Sequence, residues 1–388
     1  MVNGPLRLPG PDGALHPYTP THRFLYRDGG EPPKSRIPYA AVHVVADPLA
    51  DTTPVSPAAV DWEATLAFRR HIWSYGLGVA DAMDTAQRGM GLHWAASREL
   101  IKRSVAEARA CGGRIVCGAQ SDQLEPGSAR SLDDVEAAYL EQCEFVEGTG
   151  GRVVLMASRE LARIARGPED YLRVYERVLG QLREPALIHW LGEAFDLQLR
   201  GYWGHVDLDR AMDVCLEVVR SNVDKVDGVK CSLLDQRREV EMRSRMPEGV
   251  HMYTGDDFDY PTTIKGDGRR HSDALLGAFD VIAPAASAAL LALDEGDVGR
   301  FESVLGPTVP LARHIFKSPT FYYKTGVVFV AYLNGHQSHF RMVGGLESGR
   351  SAVHLAEVFR LADQAGLLRD GELAADRMRN VLKVAGID

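Results

Sequence analysis

Eight short apolar runs alternate with longer stretches of helical spacing, and this alternation constrains the fold more than any other feature of the chain. The runs are "YAAVHVVA" from Tyr39, "GLGVAD" from Gly76, "RIVCG" from Arg114, "RVVLM" from Arg152, "PALIHW" from Pro185, "VDGVKCS" from Val226, "VHMYT" from Val250 and "ALLGAFDVIA" from Ala274. Between them lie segments such as "VDWEATLAFRRHIW", "ASRELIKRSVAEARA" and "SLDDVEAAYLEQCEFVE". Ser131 with Asp134 three residues on marks one helix start, and Pro168 suits the first turn of another. Eight strands each followed by a helix predict a (β/α)8 TIM barrel over residues 36–305. A Gly/Pro-rich lead-in occupies residues 1–35, and residues 306–388 read as a C-terminal helical extension packed on the barrel.

The sixth run, "VDGVKCS", holds a lysine where a buried strand would otherwise carry only apolar residues. Strand alternation places Val226, Gly228 and Lys230 on one face, with Gly228 leaving room below the lysine. In a barrel of this kind, catalytic groups stand at the carboxyl ends of strands. An ammonium in a partly dehydrated, apolar site has its charged form disfavoured, which makes a neutral, nucleophilic amine accessible. The competing reading is a structural lysine paired with a strand-end carboxylate such as Asp235 or Asp257.

The segment "KVDGVKCSLLD", followed by "GVHMYTGDDFDYPTTIKGDGRRHSDALLGAFDVIAP", resembles the sixth to eighth strands of the dihydrodipicolinate synthase and N-acetylneuraminate lyase superfamily, as a distant branch. The resemblance implies that Lys230 forms a Schiff base and that Gly255, Asp256 and Asp257 make the turn after the next strand. It also implies homo-oligomers and small keto substrates. Two family elements are replaced. After the second strand, "GLGVADAMDT" has Asp81 and Asp84 where the family's paired threonines bind the pyruvate carboxylate, and His189 stands where the fifth strand of the family carries a tyrosine.

These replacements point to a keto-sugar or sugar-acid-derived substrate in place of pyruvate. Asp81, Asp84 and Asp257 accept hydrogen bonds from hydroxyls, Trp190 offers an apolar face to a ring, and His189 joins Lys230 as the proton-moving catalytic residue with no cofactor. An alternative places His43, Asp81, His189 and Asp257 around a divalent metal for isomerisation or elimination at the same mouth. A third reading is a barrel that binds a metabolite without chemistry.

Composition narrows the partners. The formal net charge of −9, with no run of Lys and Arg, argues against a nucleic-acid surface, and no apolar run reaches membrane-spanning length. Five scattered cysteines without a C-x-x-C pair fit a reducing cytoplasm.

Overall fold

The computed structural model describes residues 6–21 and 23–387; residues 1–5 of the lead-in lie outside the described residues. A hairpin of β1 (Leu6–Pro9) and β2 (Leu15–Tyr18) precedes β3 (Pro38–Ala41), β4 (Gly78–Asp81), β5 (Ile115–Ala119), β6 (Arg152–Met156), β7 (Ala186–Leu191), β8 (Val226–Ser232), β9 (His251–Thr254) and β10 (Asp273–Leu276). The last eight strands pair in chain order, and β10 closes onto β3 in a barrel whose strand pairs are all parallel. The expected TIM barrel is therefore the fold. Tyr39, Ala80, Val116, Val154, Leu187, Tyr253 and Leu275 fill the barrel interior as a cluster distinct from the larger one between strands and helices. Alternate positions point outward, so Ile188 and Trp190 of β7 belong to that outer core.

Strand β8 departs from simple alternation. Ala186 faces Val226 but Leu187 faces Gly228, so Asp227 is an extra residue and the strand bulges. Val226 consequently packs in the outer core and does not share a face with Lys230, contrary to the strict period-two expectation. A Cβ at Gly228 would lie 2.6 Å from the carbonyl oxygen of His251 and 2.7 Å from the Tyr253 ring. The space below the lysine is thus used by Tyr253, whose hydroxyl donates to Asp227 at 2.8 Å.

The helix signals hold at residue level. Ser131 and Asp134 form a reciprocal capping box, and Pro168 occupies the first turn of its helix. The eighth run is shorter as a strand than the sequence predicts: β10 ends at Leu276 and the helix Ala278–Asp294 begins two residues later. Its opening residues are buried on nearly every side, and an apolar run without polar alternation does not distinguish helix from buried strand. The lead-in is more ordered than its Gly/Pro content implies. Its hairpin packs on the helix Ala352–Gln364, where Asp363 accepts from the Tyr18 hydroxyl at 2.7 Å and from the Thr21 amide at 2.9 Å, joining the two ends of the chain. Among the described residues no helix is long and apolar enough to cross a membrane.

One buried ion pair ties the second barrel strand to the first barrel helix, Trp62–Ser74. Arg69 donates to Asp81 from Nη2 at 2.8 Å and from Nε at 3.2 Å, with both side chains fully buried, and Arg69 Nη1 donates to the His43 carbonyl at 2.6 Å. The Ala82 amide fills a further Asp81 site at 2.8 Å. Breaking such a pair strands a buried charge, so Asp81→Ala is expected to lower the unfolding free energy in urea by about 3–5 kcal/mol. A loss below about 1 kcal/mol would show that the pair is not a structural tie.

Candidate active site

Lys230 stands near the carboxyl end of β8 and is 7 % exposed. Its register partners are His189 on β7 and Tyr253 on β9. Room for its stem comes from Gly255: a Cβ there would sit 3.1 Å from Lys230 Cε and 2.2 Å from Ser232 Oγ. Among the described residues, Lys230 Nζ has no hydrogen-bond or ion-pair partner within 4.0 Å. Burial lowers its pKa; the charges of Asp84 and, less strongly, Asp257 oppose that shift without contact.

His189 is fully buried, with Nε2 at 3.1 Å from Ser232 Oγ and Nδ1 at 3.9 Å from Asp84 Oδ2. Nδ1 has no hydrogen-bond partner. Burial, reinforced by Lys230, holds the imidazole well below its ordinary pKa. The ring is a neutral base or hydrogen-bonding group at physiological pH, not an imidazolium acid. Asp257 Oδ1 accepts from the Ala278 amide at 2.8 Å, and burial pushes its carboxyl up despite that hydrogen bond and Lys230. Asp84 is the more open carboxylate at this mouth, 19 % exposed.

The structure thus brings together Lys230, His189, Asp84 and Asp257, but not the remaining expected residues. Asp81 is held by Arg69 behind the strand and offers no free oxygen to a substrate. Trp190 is 2 % exposed on the outer face of β7, edge-on to Trp203 at 6.3 Å, so it offers no platform to a ring. His43 is buried with Nδ1 2.8 Å from Asp280 Oδ2 and its ring 4.3 Å from Phe68. The set His43, Asp81, His189 and Asp257 therefore does not converge, and no group of three or more His, Cys, Asp or Glu among the described residues is placed to hold a metal ion. The basic run from Lys265 to His271 precedes β10 and lies at the amino end of the barrel, opposite Lys230.

Three residues to which sequence reasoning gave no role in the site complete the mouth. Ser232, two positions after Lys230 on the same face, holds His189. Tyr323 shares a hydrogen bond of 2.8 Å with Thr85, stacks on Phe316 at 4.3 Å and meets Phe195 edge-on, so the C-terminal extension closes over the loops after β4 and β7. Lys324 is 3 % exposed; its Nζ donates to the Phe321 carbonyl at 3.2 Å and lies over the Phe321 and Tyr323 rings. Burial lowers its pKa to about 8, opposed by Asp84 and Asp196. The available signal was a single lysine in the apolar helix "YKTGVVFVAYL", the same anomaly that marks Lys230.

A closed parallel barrel with a buried lysine near the end of its sixth strand defines this protein as a barrel of the dihydrodipicolinate synthase fold. The chain belongs to the DUF993 family, described as a protein of unknown function, whose family model matches residues 6–387. It is similar in structure to YagE, a prophage protein of the dihydrodipicolinic acid synthase family from E. coli K12 in complex with pyruvate, at 12% identity and a TM-score of 0.67, covering 86% of this chain and 99% of YagE. Dihydrodipicolinate synthase from Bacteroides thetaiotaomicron matches at 12% identity and a TM-score of 0.62, covering 87% of this chain and 99% of that one. The enzyme from Oceanobacillus iheyensis matches at 14% and 0.57, covering 90% and 97%. Comparison with curated proteins found no match.

The electrostatic reading of His189 is directly measurable. Its imidazole resonances are expected to stay in the neutral form between about pH 5.5 and 8.5, where a free histidine titrates. A midpoint within that window would contradict the desolvated placement.

Proposed function

We propose that the protein is a Schiff-base-forming lyase of the aldolase type, acting on a keto-sugar acid through Lys230. The observation that carries this reading is Lys230 itself: a buried amine at the reacting end of a barrel, with a lowered pKa and no contacting carboxylate among the described residues to hold its proton. In the reaction, neutral Nζ adds to the substrate ketone, water leaves, and the resulting imine takes up one proton from solvent to give the protonated imine. His189 takes the proton of a substrate hydroxyl, the adjacent carbon–carbon bond breaks, and its electron pair moves into the imine to give an enamine. Proton return to the enamine carbon and hydrolysis release the products and free Lys230. Neutral His189 suits the base role, because Nδ1 presents a lone pair when Nε2–H donates to Ser232.

The arrangement of charge supports the substrate class. Asp84 and Asp257 near Lys230 favour hydroxyl donors. Lys324 sits in the field of Asp84 without an ion-pair partner within 4.0 Å among the described residues, and can receive a carboxylate at the far end of the substrate. Asp81, committed to Arg69, takes no part, and Lys324 supplies what the absent threonine pair does not.

Borohydride reduction with a panel of keto-sugars, keto-sugar acids and pyruvate tests the proposal. The expected result is a reduced adduct on Lys230 with a keto-sugar acid, absent in Lys230→Met, whose turnover falls by at least about 10³-fold. Lys324→Met should weaken capture of the acid by about 10- to 100-fold while sparing the neutral sugar, as loss of a charge-assisted hydrogen bond implies. A compound that is turned over without any trapped adduct would overturn the imine route.

A further inference from the structure

A second site lies in the C-terminal extension, apart from Lys230. There the helices Val309–Phe316 and Ala352–Gln364 and the turn between Lys317 and Tyr322 enclose an open cavity of about 560 Å³. Its charged lining is predominantly cationic. Arg360 is matched by Glu357 at 3.0 Å, whereas Lys317 and Arg350 have no carboxylate partner among the described residues. Arg350 is fixed in place: its Nη2 donates to the carbonyls of Lys317 at 2.7 Å and Pro319 at 2.9 Å, while its buried Nε has no partner.

His354 supplies the independent observation. It is 5 % exposed, lines the cavity, and neither of its ring nitrogens has a hydrogen-bond partner. His314 stacks on it at 4.3 Å and donates from Nε2 to its backbone carbonyl at 3.1 Å. Buried polar atoms are almost always satisfied, so an imidazole with two idle nitrogens beside two unmatched cations needs a further partner. Burial, followed by His314, Arg350 and Lys317, pushes the His354 pKa down to about 3, an effect that an anion would reverse. His354 also lies in the first turn of a 13-residue helix, whose amino end favours negative charge. Tyr322, Pro319 and Val353 add apolar wall for an organic body.

We infer that this cavity binds a small anionic metabolite through a phosphate or carboxylate group, received by Lys317, Arg350 Nε and His354. The proposed lyase reaction does not require it.

Calorimetric titration of the 388-residue protein with inorganic phosphate, glycerol 3-phosphate and succinate tests the assignment. Saturable binding of at least one probe is expected, weakened by at least about tenfold in Lys317→Ala and in His354→Phe and unchanged in Lys230→Met. Response to the phosphates alone assigns a phosphate group, and response to succinate alone a carboxylate; either supports the site. Lys317 is exposed, so its variant keeps the test decisive even if His354→Phe fails to fold. Absence of saturable binding by all three probes up to about 10 mM, or binding that Lys317→Ala leaves unchanged, would overturn the proposal.

Discussion

The desolvated amine of Lys230 is the constraint on which the rest of the site depends. An ammonium inside an apolar barrel is unfavourable unless a carboxylate touches it or it gives up its proton. Here Asp84 and Asp257 act at a distance, near enough to oppose the shift but not to cancel it. The surrounding structure maintains that balance. Gly255 leaves the stem its channel, Tyr253 fills the space that Gly228 opens below, and Ser232 holds His189 beside the amine. Each small residue is small because a neighbour needs the volume.

The same economy of charge separates structural from reactive groups. Arg69 and Asp81 neutralise each other behind the barrel wall. Glu239 is likewise spent in the outer layer, accepting from Thr254 at 2.8 Å and Ser272 at 2.7 Å, with its carboxyl raised by burial to about 8. At the mouth, Lys230 and Lys324 have no carboxylate partner within 4.0 Å among the described residues, and His189 keeps an idle nitrogen. Unpaired buried groups are where a fold departs from its own stability, and such groups cluster where chemistry is done.

The barrel was legible because its signal is repeated eight times and each run carries its own punctuation. Lys230 was legible because a lysine is improbable in a buried strand, and its neighbours Asp84, His189 and Asp257 followed from the resemblance to the dihydrodipicolinate synthase superfamily. The errors have a shared physical origin. Asp81 and His43 are taken up by Arg69, on the helix just before β4, and by Asp280, on the last barrel helix, whereas Asp84 and His189 face the mouth. Trp190 follows His189 by one residue and so points the opposite way, a consequence that alternation itself could have supplied. The bulge at Asp227 breaks the period locally, and no single-strand pattern reveals it. A site role for Lys324 was not legible, since only the closed extension carries it to the loops after β4 and β7.

Lys230 is proposed as a neutral nucleophile held ready by burial. The most direct test is titration of the Lys230 side chain in lysine-labelled protein by carbon and nitrogen NMR, with Lys230→Met to assign the resonance. The expected midpoint lies clearly below the ~10.4 of a free lysine and falls further in Asp84→Asn, which removes the larger opposing charge. A midpoint at or above the free value would mean that the lysine is a structural cation, and the imine chemistry would lose its basis.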